Sequence, residues 1–325
     1  MLVLAAAVCG VRLVLSYNQS NKKLVEDLDV SVPTYDPSGE TVQSTFQNNI
    51  LFICYDEDNS ETQMMFVMNV DSVSRSLNFL LLPREIKFNI ASAGIVGTFG
   101  DMYDSFSSSK AASCASAISA FFEFDINYYF CISTDDMGKF INSFCTEDSG
   151  VAVNVPIDIN YRDYDRNISI NYKSGTQYMY GDDVVNFLSF YKTDDGAYTK
   201  EMLNFYDGTD AKRMDIVARF IEGFITQKFF EASTDTYLRS FTDLISPYLT
   251  KCDTNLSENI LGIISQILSV ANAQKLGFYM PLGDLSFNGR VFYEFNGYIR
   301  NLAFDESFSP STAEEVLTTR FKTSY

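Results

Sequence analysis

The sequence predicts a layered α/β fold, and three observations carry that prediction. Fully apolar runs of strand length, ILFICYD (50–56), MMFVMNV (64–70) and LNFLLLP (77–83), mark strands buried on both faces. Beyond residue 109, segments with a 3.6-residue apolar stripe alternate with further short apolar runs, giving strand–helix–strand–helix–strand order. The 325 residues are 46% hydrophobic, ample for one large core or two modest ones. No composition break, internal repeat or low-complexity tract divides the chain beyond residue 47.

Taken in order, the chain opens with LVLAAAVCGVRLVLS (2–16), apolar except for Arg12 and Ser16. That is short of the roughly 20 residues of a full membrane span, and it lacks a basic start and a small-residue cleavage site. Residues 1–17 are read as the outer part of a transmembrane signal anchor, which puts the rest outside the cytoplasm on a single-pass tether at the cell membrane. Residues 18–46 are polar, contain Pro33, Pro37 and Gly39, and read as a linker. The three strands follow, with DSVSR (71–75) as the turn between the second and third. SKAASCASAISAFF (109–122) suits a helix, INYYFCIS (126–133) a strand and DDMGKFINSF (135–144) a helix with apolar positions 137, 140, 141 and 144. GVAVNVP (150–156) is a strand, and 182–191, 211–230 and 257–271 carry helical stripes. KLGFYMPLG and GRVFYEF predict two short strands around a turn at 284–289. Residues 47–305 form the predicted domain, and 306–325 a C-terminal tail.

Composition removes several functions. The net charge of −18 repels a phosphate backbone, so no nucleic-acid partner is expected. With no His in the chain, a His general base, a Ser-His-Asp triad and a His-ligated zinc are excluded. None of the six Cys forms a C-x-x-C pair; Cys54 and Cys131 read as buried small hydrophobes, and Cys114–Cys145 and Cys145–Cys252 are the candidate disulfides. The Phe and Tyr crowded at 121–130, 187–191 and 220–230 form either a dense core or the lining of a lipid pocket.

LNFLLLPREIKFNI (77–90) resembles a family pattern of an apolar strand, Pro-Arg-Asp and a β segment. Other stretches then fall into order: Cys54-Tyr55-Asp56 with Asn59-Ser60-Glu61-Thr62 before Met64, INYYFCISTDDMGKFINSF with GVAVNVPIDI, YKSGTQYMYGDDVVNFLSFYK (172–192), TNLSENILGIISQIL and FYMPLG…FNGRVFYEF. On these ordered matches the chain is identified as a divergent member of the LytR-CpsA-Psr family. The resemblance implies a three-layer α/β/α sandwich with a central mixed β-sheet and a hydrophobic lipid pocket. It implies a phosphotransferase that moves a polyprenyl-pyrophosphate-linked glycopolymer onto peptidoglycan at the membrane, with Mg2+ and an arginine cluster at the pyrophosphate.

That chemistry needs guanidinium groups to match phosphate oxygens and carboxylates to hold a cation. By position in the motifs, Arg84, Asp210 and Arg213 are the expected catalytic residues. Arg84, Arg213 and Tyr103 are expected to bind substrate, and Asp56, Glu61 and Asp210 to hold the metal. Tyr103 matches the tyrosine of a central Asn-x-Ala-Tyr motif in which Gly100 replaces the Asn. Other family positions are altered: Asn59 stands for an arginine, Ser189-Phe190-Tyr191 for Arg-x-Arg, Ile216-Val217 for Arg-Gln, and Glu85 for Asp. Lys192, Lys200, Lys212 and Arg219 are cations near these losses in sequence. The alternative is a catalytically inactive scaffold or regulator that binds polyprenyl lipid; a third reading is an unrelated secreted structural or adhesive α/β protein. Convergence of Asp56, Glu61, Arg84, Asp210 and Arg213 at one mouth of an apolar tunnel would exclude the third.

Overall fold

A computed structural model describes residues 46–322 apart from 59, 91–93, 146–149, 165–167, 191–209, 229–242, 272–274, 288–290 and 303–309. The expected anchor, all but the last residue of the linker, Cys9, Asn59, Tyr191, Lys192 and Lys200 lie outside the described residues. Among the described residues no helix is long and apolar enough to cross a membrane.

The predicted runs pair as an eight-stranded sheet. Its members include β1 (Gln47–Asp56), β2 (Glu61–Asp71), β3 (Ser76–Leu81), β6 (Tyr128–Ser133), β12 (Leu276–Phe287) and β13 (Val291–Asn301). With β11 (Asp253–Thr254) and β14 (Ser311–Thr312) at the edges, the order is β11-β6-β1-β2-β3-β12-β13-β14. The sheet is mixed: β1 pairs parallel with β6 and β3 with β12, while β2 is antiparallel to both neighbours. The four parallel strands therefore run one way, and Asp56, the segment after Leu81, and Ser133 meet at one edge of the sheet.

Strict alternation sends the two halves of each apolar run to opposite faces. Ile50, Cys54, Met64, Phe66, Leu77 and Phe79 enter one core; Leu51, Ile53, Met65, Val67 and Leu80 enter the other. The first core is covered by α2 (Thr134–Ser143), α3 (Gly181–Ser189), α4 (Asp210–Lys228), α5 (243–249) and α6 (Ile260–Ala271), the second by α1 (Lys110–Phe122) and α7 (Ala313–Arg320). This is the three-layer α/β/α sandwich. Small hairpins, β4 (Lys87–Ile90) with β5 (Ile95–Thr98) and β8 (Ile159–Asp163) with β9 (Ile168–Tyr172), and a ladder of β7 (Val151–Val155) with β10 (Gly175–Met179) decorate it.

Three expectations need correction. The last two strands are long, not short, because cross-strand pairing carries them from Tyr279↔Asn301 out to Phe287↔Val291. Residues 310–322 are not a tail outside the domain: β14 extends the sheet, and Val316, Leu317 and Phe321 are buried in the second core. The Phe321 carbonyl also accepts from Asn49 Nδ2 (2.8 Å), which ends a buried amide row, Asn78–Asn69–Asn49, across β3, β2 and β1. Neither candidate disulfide forms, for Cys114, Cys145 and Cys252 are free thiols and Cys114 lies on the opposite face of the sheet from the other two. Burial pushes the Cys252 thiol up to about 12.

Because the Phe321 side chain is fully buried, Phe321→Ala should cost about 3–5 kcal/mol. Denaturant unfolding checks this; an unchanged midpoint would return residues 306–325 to the status of a tail.

Candidate functional site

The site is built on α4 and the edge where the parallel strands end. Two glycines set the scaffold beside it. A Cβ at Gly181 would collide with the Gly138 carbonyl, so α3 can approach α2 this closely only without side chains there. The approach fixes α3, and the Leu188 carbonyl near its C-terminus accepts from Arg213 Nη1 at 2.7 Å. Arg213 lies one turn into α4 and turns back to the first residue of the helix. Its Nε donates to Asp210 Oδ1 at 2.6 Å and its Nη2 to Oδ2 at 3.3 Å. Both side chains are inaccessible to solvent.

Arg84 closes the other side. Its backbone N–H donates to Asp210 Oδ2 at 2.6 Å, and its Nε lies 3.4 Å from Oδ1. Burial alone would raise the Asp210 carboxyl; the Arg213 and Arg84 guanidiniums outweigh it and hold the group below the usual carboxylate range. The Arg84 Nη1 reaches the other way, donating to Glu61 Oε1 at 3.1 Å and Gln63 Oε1 at 3.0 Å. The Gln63 amide nitrogen in turn donates to Asp56 Oδ2 (3.3 Å) and Glu61 Oε2 (3.4 Å).

A register slip puts these groups on one side. Cys54 faces Met64 but Tyr55 faces Thr62, so Gln63 is the extra residue of a β-bulge. Counting back from Met64, strict alternation would send Glu61 to the opposite face; the inserted residue sets it opposite Asp56 and toward Arg84.

Directly along the same elements lies an apolar cavity of about 190 Å³. Its floor is a row of rings across four strands, Phe130, Phe52 and Phe66 stacked and Phe79 edge-on to Phe66, with centroids 4.8–6.0 Å apart. Its roof comes from α4 (Phe220, Phe224) and from α2, α5 and α6, and among the described residues every side chain that lines it is apolar. On α4 the ion pair at 210 and 213 and the cavity wall from 220 are consecutive, about 15 Å apart from Asp210 to Phe220 at 1.5 Å per residue.

A family model, the LytR_cpsA_psr family, matches residues 11–293. This chain belongs to the LytR-CpsA-Psr family. The fold agrees. Bacillus subtilis TagV superposes with a TM-score of 0.59 at 16% identity, covering 78% of this chain and 92% of that one. Protein gbs0355 from Streptococcus agalactiae gives 0.61 at 12% identity, covering 77% and 83%. TagT, in a structure described as bound to LI-WTA, gives 0.54 at 13% identity, covering 82% and 88%. A search of curated proteins gives no match. Members of the LytR-CpsA-Psr family are membrane-associated cell-wall enzymes that transfer glycopolymers.

Five of the six residues expected at a LytR-CpsA-Psr site, Asp56, Glu61, Arg84, Asp210 and Arg213, therefore meet in one network. Tyr103 is not part of it. Its ring packs on Tyr55 (4.4 Å between centroids) with Lys110 5.3 Å away, and it belongs to the core on the other side of the sheet. Asp210 was expected among metal ligands, but arginine donors engage both its oxygens and it is fully buried; the geometry makes it the anchor of the arginines. Arg213 likewise spends its guanidinium on Asp210 and Leu188. Among the altered family positions, Phe190, Ile216 and Val217 are packed in the first apolar core, so hydrocarbon fills those places. Lys212 and Arg219 are partly exposed on α4. Of the aromatic crowds, Phe220 and Phe224 line the cavity, whereas Phe122 and Phe124 fill the opposite core. Sequence reasoning missed Gln63, whose one signal is a polar residue set between Thr62 and the run MMFVMNV.

Removing one partner of a buried ion pair leaves the other charge uncompensated, so Asp210→Asn should cost about 3–5 kcal/mol at pH 7. Asp210 is held below its unfolded value, so its contribution is complete above about pH 4 and is lost as pH falls through the folded value. The gap between native and variant should then close in acid; a gap that persists at low pH would show that charge is not its source.

Proposed function

We propose that this protein transfers a glycopolymer from a polyprenyl-pyrophosphate carrier to peptidoglycan, with the pyrophosphate at Arg84 and the prenyl chain in the apolar cavity. The observation that carries the reading is the continuity of the two along α4, β2 and β3. An amphipathic ligand with a multiply charged head and a hydrocarbon tail matches that sequence of polar network and dry cavity. The cavity is smaller than the roughly 300–1,000 Å³ usual for ligand pockets, so a long chain would occupy it with only one segment unless the helices over it part.

In this reading the acceptor sugar hydroxyl attacks the phosphorus that bears the glycopolymer. The new P–O bond forms as the phosphoanhydride bond breaks, and the carrier leaves as polyprenyl phosphate. The guanidinium of Arg84 offsets charge on the pyrophosphate oxygens. The hydroxyl proton passes to a carboxylate, and Asp56 and Glu61 are the network acids with solvent access.

Magnesium fits two residues and not the third. Asp56 and Glu61 converge on one nitrogen, at 3.3 and 3.4 Å, in a part-exposed position. No group of three acidic or cysteine ligands occurs among the described residues. A magnesium ion is commonly held by one or two carboxylates and completed by substrate phosphates and water, so Asp56 and Glu61 suffice. When bound, the ion would supply charge neutralisation at the phosphates. In this reading residues 1–17 anchor the enzyme at the outer surface of the membrane, where both carrier and peptidoglycan lie.

The packing of Phe190, Ile216 and Val217 in hydrocarbon favours a second reading, a lipid-binding scaffold without turnover. Transfer or pyrophosphatase activity on a polyprenyl-pyrophosphate substrate with magnesium separates the two. The native chain should turn over, and Arg84→Ala should lose about 10- to 150-fold, the worth of one charge-assisted contact of 1.5–3 kcal/mol. No turnover, with prenyl lipid retained in the purified protein, would replace the enzyme by the scaffold.

A further inference from the structure

The bulge residue Gln63 is 3% exposed, yet all of its side-chain partners are charged. A glutamine amide has two N–H donors and an acceptor oxygen. Here the oxygen accepts from Arg84 Nη1, one N–H faces Asp56 and the other faces Glu61. The residue is therefore hydrogen-bonded to Arg84 and to Asp56 and Glu61, the two part-exposed acids of the network.

We propose that Gln63 is a positioning residue of this site: its amide holds Arg84 toward the ligand and sets Asp56 and Glu61 on one point where a divalent cation would sit. The inference rests on the transferase reading for its ligand and on the bulge for its geometry.

Two physical arguments support it. The network holds three carboxylates, on Asp56, Glu61 and Asp210, against two guanidiniums, on Arg84 and Arg213. Two of the acids approach the same spot and repel each other, and a neutral donor between them orients both without adding charge. A glutamate there would set a third carboxylate beside Arg84 and compete with phosphate for it. A leucine would fill the volume but return Arg84 Nη1 to Glu61 and leave the two acids with no donor between them. The second argument is the bulge. An extra residue in a strand disrupts the ladder, and bulges recur where a side chain must be re-aimed beside a functional site. Here the re-aimed residues are Gln63 and Glu61.

Three titrations on the full chain test this, using native protein, Gln63→Leu and Gln63→Glu, each confirmed folded by its thermal transition. Calorimetry with inorganic pyrophosphate in magnesium should show about tenfold weaker binding to Gln63→Leu. Binding of farnesol, an uncharged prenyl probe of the cavity, should be the same for native and Gln63→Leu. Manganese alone should bind Gln63→Glu at least tenfold more tightly than native, because three carboxylates then meet at one point. Native pyrophosphate affinity in Gln63→Leu would overturn the proposal, as would equal losses for pyrophosphate and farnesol, which would mark a merely structural side chain. Unchanged manganese affinity in Gln63→Glu would overturn it as well. If the native chain binds no pyrophosphate, the transferase reading fails, and the manganese comparison alone decides the role of Gln63.

Discussion

The Asp210 carboxylate between two arginines is the constraint on which the site depends. An isolated buried carboxylate is too costly to keep charged, and so is an isolated buried guanidinium. Together they hold each other ionised, and each also fixes a piece of chain. Arg213 ties the start of α4 to the end of α3 through the Leu188 carbonyl. The Arg84 backbone N–H ties the loop after β3 to the same carboxylate. That leaves the Arg84 guanidinium directed at Glu61 and Gln63, at the mouth. Burial grades the network: Asp210 and Arg213 are closed to solvent and hold the site from behind, Arg84 is 4% exposed in front of them, and Asp56 and Glu61 are the part-exposed members.

Below that surface the same helix and strands change character within a few residues. On β2, Glu61 and Gln63 belong to the polar network and Met64, Phe66 and Met68 to the cavity wall. On α4 the change falls between Arg213 and Phe220. A charged head and a hydrocarbon tail can thus be read by one continuous stretch of structure. The family's Arg-Gln pair, replaced by Ile216-Val217, would have lain between those two zones on α4, and its loss extends the apolar part.

Much of the architecture is legible in the sequence because strands buried on both faces read as nearly continuous apolar runs. The runs at 50–56, 64–70 and 77–83 appear as β1, β2 and β3, and the stripe in 211–230 as α4. Helix boundaries shifted by one to three residues, as capping geometry rather than periodicity sets them. The length of the β12–β13 hairpin, though not its presence, was missed because its outer half faces solvent, with Leu285 and Phe287 exposed, and so follows no core alternation. The buried helix at 313–320 was missed because its stripe is only Ala313, Val316 and Leu317 in a polar context. At the site, position in the family motifs located Arg84, Asp210 and Arg213, but no motif states depth of burial. Depth is what separates Asp210 from Asp56 and Glu61. Gln63 was invisible for a related reason: a bulge is a relation between two strands, and a single strand does not display it.

The central claim is that one ligand spans the arginine network and the apolar cavity. A crystal structure with geranylgeranyl pyrophosphate and magnesium tests it most directly. The account predicts the pyrophosphate on the Arg84 guanidinium, with Asp210 and Arg213 still paired behind it, and the prenyl chain on the Phe52–Phe66–Phe79 floor beneath α4. A prenyl chain bound elsewhere, or a pyrophosphate that ignores Arg84, would contradict it.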